Sequence, residues 1–192
     1  MERGEAISRI LAHAGPDDLV LSTTGMISRE VFVTSDRPGN FYMLGSMGLV
    51  SSLGLGLALL DPQRRVFILE GDGSALMSLG TLALVPTESP GNLVHIIPDN
   101  EAYESTGGQP SISRAIDLAE VGRSCGYPQV SRVRDPAGLE DALNRCGVGA
   151  GPYLIVAKVA IALVPGIPRV SHCPAEIRDR FRAVVQGRGH QP

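Results

Sequence analysis

Short apolar runs alternate with longer amphipathic segments along this chain. The apolar runs predict strands over residues 19–22, 41–44, 66–70, 93–98, 129–134 and 153–160. The remaining segments predict helices over about 2–14, 28–33, 74–85, 114–125, 136–146 and 174–187, with a glycine-rich helix ending near residue 60. Near-continuous apolar strands are typical of parallel sheets that are covered on both faces. We therefore expect an α/β fold, a single doubly wound domain over residues 1–192 with a mostly parallel sheet and helices on both faces.

The stretch from Leu44 to Leu60 is uncharged and could be mistaken for a membrane segment. It contains glycines and serines, and Asp61-Pro62, a stop signal for a helix, follows it directly. These features do not fit a membrane span, so we expect no contact with a membrane. A tightly packed helix fits better, either in the core or against a partner.

Polar residues follow two of the predicted strands. Gly71-Asp72-Gly73-Ser74 follows strand 66–70, and Asn100 follows strand 93–98. Because ligands bind beyond the carboxyl ends of parallel strands, we expect these groups to meet at one edge of the sheet. A carboxylate and a carboxamide beside exposed backbone N–H groups suit a magnesium ion that carries a diphosphate. The Gly-Asp-Gly group alone could be a simple turn, and its pairing with Asn100 favours the cofactor site.

Composition and simple motifs remove several classes of function. The net charge is −3 and the sequence has no block of Lys or Arg, so we expect no nucleic-acid partner. The N-terminus lacks the pattern of a signal peptide, so the expected location is cytoplasmic. Gly54-x-Gly56 is a poor dinucleotide-binding motif because it lacks the third glycine and lies inside a helix. The cysteines have no metal-ligand spacing, and His95, inside a predicted strand, is expected to be a packed core residue.

The Gly-Asp-Gly group and the later Asn resemble the magnesium–thiamine diphosphate motif of thiamine diphosphate-dependent enzymes. The resemblance implies that the side chains of Asp72 and Asn100 bind the metal together with the backbone carbonyl of Ala102. It also implies that Gly73 and Ser74 offer N–H and hydroxyl groups to the diphosphate. Thiamine diphosphate and Mg²⁺ are the cofactors expected on this ground.

Further segments fit the same family. Gly45-Ser46-Met47 stands where decarboxylases of the family hold the aminopyrimidine ring, which implies a carbonyl contact from Gly45 and a supporting wedge at Met47. Ordinary core packing is the alternative for Met47. Thr24-Gly25 resembles the family's loop near the diphosphate. The cofactor-binding residues implied by the resemblance are Thr24, Gly25, Gly45, Ser46, Met47, Gly71, Asp72, Gly73, Ser74, Asn100, Ala102 and Tyr103.

Longer strings narrow the resemblance to one subfamily. Residues 23–30, 37–48 and 99–110, with the tail at 168–169 and 174–178, look like sulfopyruvate and phosphonopyruvate decarboxylases. This implies a small anionic 2-oxoacid as the substrate. The leading interpretation is conversion of 3-sulfopyruvate to sulfoacetaldehyde and CO₂, a step toward coenzyme M. Decarboxylation of phosphonopyruvate or of another 2-oxoacid is the alternative.

The resemblance also implies that part of the active site is missing. Thiamine enzymes need a Glu beside the pyrimidine ring, and a separate pyrimidine-binding domain supplies it across an interface. This chain has room only for the diphosphate-binding half, like the beta subunits of split sulfopyruvate decarboxylases. We therefore expect a pyrimidine-binding alpha subunit as its partner in a hetero-oligomer, and we assign no certain catalytic residue to this chain. A non-catalytic half-domain that binds the cofactor is the second alternative.

Several polar residues bear on the identity of the substrate. Glu104 and Gly108 stand where the subfamily pattern suggests Gly and Asn, and an extra carboxylate there puts the anionic substrate in question. Arg29 and Arg169 are candidate partners of the sulfonate, with ordinary surface charges as the alternative. In the polar loop, Tyr103, Ser105 and Thr106 either close over the substrate or stay solvated.

Overall fold

The computed structural model describes residues 1–147, 150–161 and 166–187. Within these ranges the strands are β1 (Leu19–Ser22), β2 (Asn40–Tyr42), β3 (Val66–Leu69), β4 (Leu93–Asp99), β5 (Ala102–Tyr103), β6 (Gln109–Pro110), β7 (Gln129–Val133) and β8 (Tyr153–Lys158). The α-helices are α1 (Arg3–His13), α2 (Met26–Thr34), α3 (Val50–Leu60), α4 (Asp72–Met77), α5 (Leu79–Glu88), α6 (Leu118–Cys125), α7 (Pro136–Asn144) and α8 (Pro174–Val185). Short 3₁₀ turns at Glu104–Thr106 and Ile112–Arg114 lie between β4 and α6.

Six strands form one parallel sheet in the order β2-β1-β3-β4-β8-β7. At the end of β1, Ser22 pairs with Tyr42 of β2 on one side and with Leu69 of β3 on the other. The chain therefore turns one way from β1 to reach β2 and the other way to reach β3. Such a reversal of strand order opens a crevice at the carboxyl ends of the strands. The predicted α/β fold with a parallel sheet is confirmed.

The core consists of two apolar layers, one on each face of the sheet. Val20 and Phe67 pack on one face with α1, α2 and α7. Leu21 and Ile68 pack on the other face with α3, α4, α5 and α6. Neighbouring residues go to different layers because successive side chains of a strand point to opposite faces. Removing apolar area from water on both faces, at roughly 25 cal/mol per Å², is the main source of stability.

Helix α3 has a small-residue side in the core and an apolar side on the surface. A Cβ added at Gly54 would lie 2.4 Å from Cδ1 of Ile68, so only glycine lets α3 approach β3 this closely. On the outer side, Leu53 and Leu59 are 38% and 47% exposed. Among the described residues, no helix is long and apolar enough to cross a membrane.

Two predicted helices differ from the structure near the crevice. The helix predicted over 74–85 is broken into α4 and α5 at Ser78, whose hydroxyl donates a hydrogen bond to the carbonyl of Gly48. The helix predicted to begin at 114 begins at Leu118 instead. Its N-cap is Asp117, whose side chain accepts a hydrogen bond from the N–H of Ala119 at 2.9 Å. Side-chain bonds to the backbone thus set both boundaries.

Candidate cofactor-binding site

A cleft lies where β1, β3 and β4 end, at the crevice between β1 and β3. We call it the main cleft. Its empty volume is about 560 Å³, including the part that is open to solvent. The predicted cofactor residues that line it are Thr24, Met47, Gly71, Asp72, Gly73, Ser74, Asn100, Ala102 and Tyr103.

Asp72 is the buried carboxylate of the main cleft, at 2% exposure. Its Oδ2 accepts hydrogen bonds from the hydroxyls of Ser111 and Ser113. Burial raises the pKa of Asp72 above its ordinary value, and the two hydroxyl bonds oppose that shift. The Ser113 hydroxyl is 2.9 Å from Asp72 and also 2.9 Å from Asp99 Oδ1, but its one proton can serve only one carboxylate at a time. Asp72 therefore retains acceptor capacity for a cation.

A tight turn after β4 brings Asn100 and Ala102 into the same cleft. Glu101, between them, has a φ of 59°, a left-handed conformation that reverses the chain. The N–H of Ala102 donates to Asn100 Oδ1 at 3.1 Å, which fixes the carboxamide. Lys158 binds both Asp99, at 2.7 Å, and Glu101. Burial opposes the charge of Lys158, but these carboxylates raise its pKa on balance and hold the turn in place.

The donors in the main cleft fit a magnesium ion with a diphosphate. Asp72 offers a carboxylate, Asn100 a carboxamide and Ala102 a backbone carbonyl, all hard oxygen ligands of the kind that Mg²⁺ takes beside phosphates. The described ranges contain no cluster of three or more His, Cys, Asp or Glu side chains able to hold a metal. The predicted magnesium ligands do not require such a cluster, because two of the three are amide oxygens, from the Asn100 side chain and the Ala102 backbone.

Gly73 forms the floor of the main cleft. A Cβ added there would lie 2.4 Å from Cε1 of Tyr103 and 3.2 Å from Cε of Met47. The Tyr103 ring and the Met47 thioether therefore lie directly over this glycine, and a larger residue would collide with both. Met47 is 36% exposed, so ordinary core packing does not describe it. Its position at the wall of the cleft is compatible with the predicted supporting wedge.

The turn before α3 is anchored to this floor. Ser46 and Gly48 have φ angles of 54° and 94°, and the N–H of Gly48 donates to Ser74 Oγ at 2.9 Å. Gly45 and Ser46, however, are exposed and line a shallow depression beside α8 rather than the main cleft. The structure thus brings Met47 to the other predicted residues and leaves Gly45 and Ser46 apart.

A chain of buried polar groups supports Ser74 from below. Its hydroxyl donates to Glu70 Oε1 at 2.8 Å, and Glu70 Oε2 lies 2.9 Å from Nε2 of His95. Nδ1 of His95 is 3.3 Å from the hydroxyl of Tyr127. Burial raises the pKa of Tyr127, which stays a neutral phenol. His95, 1% exposed, is confirmed as a core residue, and it also links the core to the predicted diphosphate contact.

Glu104 does not present an unpaired charge to the cleft. Arg3 is 3% exposed and binds two carboxylates. It donates to Glu104, and it donates to the two carboxylate oxygens of Glu30 at 2.6 and 2.9 Å. Burial opposes the charge of Arg3, but bonds to two carboxylates raise its pKa on balance, so the guanidinium stays charged. Glu104 Oε2 also accepts a hydrogen bond from Asn100 Nδ2 at 3.0 Å. The residue that departs from the subfamily pattern is therefore paired within the chain, with an arginine that it shares with Glu30, and it ties Asn100 to α1.

A second cavity adjoins the main cleft and contains the two arginines singled out in the sequence. Arg29 and Arg169 line it together with Thr24 and Gly25, and we call it the arginine cavity. Thr24 lines both spaces, whereas Gly25 lines only the arginine cavity. Arg29 and Arg169, predicted to contact the same ligand, are far apart in the sequence. The structure places both of them at this cavity.

Sequence reasoning missed several residues that support the site. Ser111 and Ser113 hold Asp72, Lys158 holds the turn after β4, and Arg3 holds Glu104. Lys158 had a usable signal, because it lies at the carboxyl end of a predicted strand, where site residues are expected. The two serines lie in the polar loop before α6, and nothing in their spacing pointed to Asp72.

The fold and the oxygen donors of the main cleft define a class of protein. Residues 23–157 match the family described as thiamine pyrophosphate enzyme, C-terminal TPP binding domain, where thiamine pyrophosphate is another name for thiamine diphosphate. The chain belongs to this family. Benzoylformate decarboxylase from Polynucleobacter necessarius has a similar fold, with a TM-score of 0.73 at 16% identity over 86% of this chain and 34% of that chain.

More similar sequences are decarboxylases of two kinds. The chain is 44% identical to phosphonopyruvate decarboxylase of Streptomyces viridochromogenes over 94% of its length, but this covers only 45% of that relative. It is 42% identical to sulfopyruvate decarboxylase subunit beta of Methanothermobacter thermautotrophicus, over 97% of both chains. The beta subunit of Methanococcus maripaludis is 39% identical over 94% of this chain and 96% of its own. The chain thus spans about half of the phosphonopyruvate decarboxylase and nearly all of these two beta subunits.

Proposed function

We propose that this chain is the diphosphate-binding beta subunit of a thiamine diphosphate- and Mg²⁺-dependent 2-oxoacid decarboxylase. Its substrate is 3-sulfopyruvate, and its products are sulfoacetaldehyde and CO₂, on the route to coenzyme M. The observation that carries the proposal is the convergence of Asp72, Asn100 and Ala102 on one cleft in a chain of the thiamine pyrophosphate enzyme family. Two relatives that the chain covers to 97% and 96% of their own length are named beta subunits of sulfopyruvate decarboxylase, which supports the assignment as a beta subunit.

Each residue of the main cleft has a binding or orienting role in this proposal. Asp72, Asn100 and the carbonyl of Ala102 hold Mg²⁺, and Gly73 offers its N–H to the diphosphate, whereas the single proton of the Ser74 hydroxyl is already donated to Glu70. The bound cofactor supplies an electron sink for the electron pair left when CO₂ departs. Met47 supports the cofactor at the wall of the cleft. Glu70 orients the Ser74 hydroxyl, because Ser74 donates to it from within the buried chain of polar groups.

The pyrimidine-activating Glu belongs to the partner subunit in this proposal. Glu104, the glutamate that lines the main cleft, is committed to Arg3 and Asn100 and is not available for that role. Near the cleft, Met47, Leu49, Leu53, Met77 and Leu79 are exposed apolar side chains on the outer side of α3, α4 and α5 or just before them. Such a surface suits burial against another protein. This apolar surface includes Met47, which lies at the wall of the cleft, so the partner's Glu would reach the cofactor from this side.

Phosphonopyruvate is the second candidate substrate. Identities of 44% to a phosphonopyruvate decarboxylase and 42% to a sulfopyruvate decarboxylase subunit do not separate the two. Sulfopyruvate is favoured because the relatives of matching length are sulfopyruvate decarboxylase subunits.

Reconstitution tests the proposal directly. The chain is purified from its source with whatever subunit accompanies it, and both chains are then produced separately and mixed with thiamine diphosphate and Mg²⁺. We expect CO₂ release from 3-sulfopyruvate by the mixture, slower release from phosphonopyruvate, and none by either chain alone. Faster turnover of phosphonopyruvate would favour the second candidate. Cofactor binding without decarboxylation by any recovered complex would favour a non-catalytic half-domain, and full activity of the single chain would overturn the division into halves.

A further inference from the structure

The arginine cavity has the charge and the donors of an anion site. Within the described ranges, neither the Arg29 nor the Arg169 side chain makes a hydrogen bond or an ion pair. Among the described residues that line the cavity there is no carboxylate. Arg29 is half-buried and Arg169 is exposed, so the fold partly shelters one arginine and leaves the other open to solvent. Guanidinium groups bind oxyanions through parallel N–H donors. Two guanidiniums without a partner in the described ranges are therefore well suited to bind one oxyanion together.

The start of α2 adds to the positive potential. α2 begins at Met26 after Gly25, which has a φ of 95°, and no side chain caps its first N–H groups. The Ser28 hydroxyl, in the first turn, is committed to the carbonyl of Thr23 at 2.5 Å. Uncapped N–H groups at a helix start carry partial positive charge and favour an anion. The helix is a secondary contribution here, and the two guanidiniums carry the argument.

The acidic residues nearest to the cavity are already satisfied. His172 lines the cavity, and its two ring nitrogens lie 2.9 Å from Asp36 and 2.8 Å from Glu176. Asp36 also binds Arg180 at 3.0 Å. Neither carboxylate lines the cavity, so neither competes for Arg29 and Arg169.

We propose that Arg29 and Arg169 form the subsite that binds the acid group on C3 of the 2-oxoacid substrate, a tetrahedral sulfonate or phosphonate oxyanion. This inference rests on the proposed decarboxylase function. Thr24 lines both the arginine cavity and the main cleft, so an oxyanion held by the two arginines lies beside the cofactor site. Glu104 is held by Arg3 and Asn100 at the main cleft, and it does not line the arginine cavity. The pair of arginines then selects 2-oxoacids with a strong acid on C3 over plain 2-oxoacids.

The first test measures anion binding by the full chain without its partner. Nitrogen-15 NMR follows the arginine Nε–H signals during titration with methanesulfonate or methylphosphonate, against sodium chloride at equal ionic strength. We expect saturable shifts at Arg29 and Arg169 with both oxyanions, and loss of saturation in Arg29→Met and in Arg169→Met. Arg182→Met, on an exposed part of α8 outside the cavity, is the matched control and should leave both shifts intact. Shifts equal to those with chloride would overturn the subsite. The relative affinity for the two probes indicates which acid group the subsite prefers.

The second test uses the reconstituted enzyme and separates failure of the subsite from failure of the function. Arg29→Met and Arg169→Met should each raise KM for 3-sulfopyruvate by about 10- to 100-fold, the loss of one charged hydrogen-bond partner, with kcat changed less than about threefold. Lysine at either position should recover part of the loss. An active wild-type enzyme with unchanged KM in both variants would refute the subsite alone, as would variants that lose only affinity for the partner subunit. An inactive wild-type complex would instead refute the proposed function, while the NMR titration still reports on the subsite.

Discussion

The two ends of the main cleft differ in how completely one chain builds them. At the metal end, Asp72 is buried and held by two serine hydroxyls, and a lysine and its carboxylates hold the turn around Asn100. At the opposite end, Met47 and the leucines and methionine around it are exposed, and Ser74 and Ser78 hold only the backbone there, at Gly48. The metal end is organised before any ligand arrives. The apolar end is exposed in this chain, and in the proposed enzyme the partner subunit would cover it.

The strongest test of the anchored end is removal of its buried cation. Arg3→Met leaves Glu30 and Glu104 buried without their partner, so we expect a loss of about 3–5 kcal/mol in the free energy of unfolding. Urea unfolding measures it. The control is Arg9→Met on the same helix, a partly exposed arginine whose two ion pairs, with Glu5 and Glu140, should together contribute less than about 1 kcal/mol. Equal effects of the two substitutions would mean that the Arg3 cluster does not anchor the site.

Removal of the proposed metal ligand should affect binding rather than folding. Asp72→Asn should weaken Mg²⁺-dependent binding of thiamine diphosphate by about 100-fold or more, measured by calorimetry, because a charged oxygen ligand is lost. Because burial raises the pKa of Asp72, its ionised form costs folding free energy at neutral pH, and the cofactor-free variant should be at least as stable as the wild type. Asp141→Asn, at an exposed position of α7, is the control. Unchanged affinity would refute the metal assignment.

A smaller effect is expected where a hydroxyl separates two carboxylates. Ser113→Ala removes a donor from between Asp72 and Asp99, so the cofactor-free chain should lose about 1.5–3 kcal/mol of stability. Saturation with Mg²⁺ and cofactor should restore part of this loss, because the cation offsets the repulsion. Thermal unfolding with and without the ligands measures both. Ser8→Ala, an exposed serine on α1, is the control, and a loss that the ligands do not reduce would contradict the proposed role.

The apolar end predicts the smallest effect on the chain by itself. Leu53→Ser and Met77→Ser change exposed side chains, so the stability of the single chain should change by less than about 0.5 kcal/mol. Affinity for the partner subunit should fall by about tenfold for each, measured by analytical ultracentrifugation of the mixture. Leu60→Ser, at the far end of α3 and 81% exposed, is the control. Unchanged association in the first two variants would place the interface elsewhere.

The sequence predicted the sheet and the metal ligands because both depend on local signals. Strand β1 has the predicted bounds, since four consecutive apolar or small residues between polar segments leave little freedom. Asp72 and Asn100 could be placed at the cleft because each comes shortly after a strand, and their role as metal ligands stays a prediction. Residue Ser78 was not recognised as a helix break, because the break depends on a bond to Gly48, far away in the sequence. Arg3 was missed for the same reason, since its bond to Glu104 exists only after the chain has folded.

Tyr103, which lies over Gly73, also gives the chain a built-in optical reporter. The sequence has no Trp and 4 Tyr. Tyr42, Tyr127 and Tyr153 are 2%, 5% and 5% exposed and lie away from the main cleft, whereas Tyr103 forms part of its wall. Intrinsic fluorescence that changes when the cofactor is loaded would therefore come mainly from one phenol ring, and occupancy of the cleft could be followed without a label.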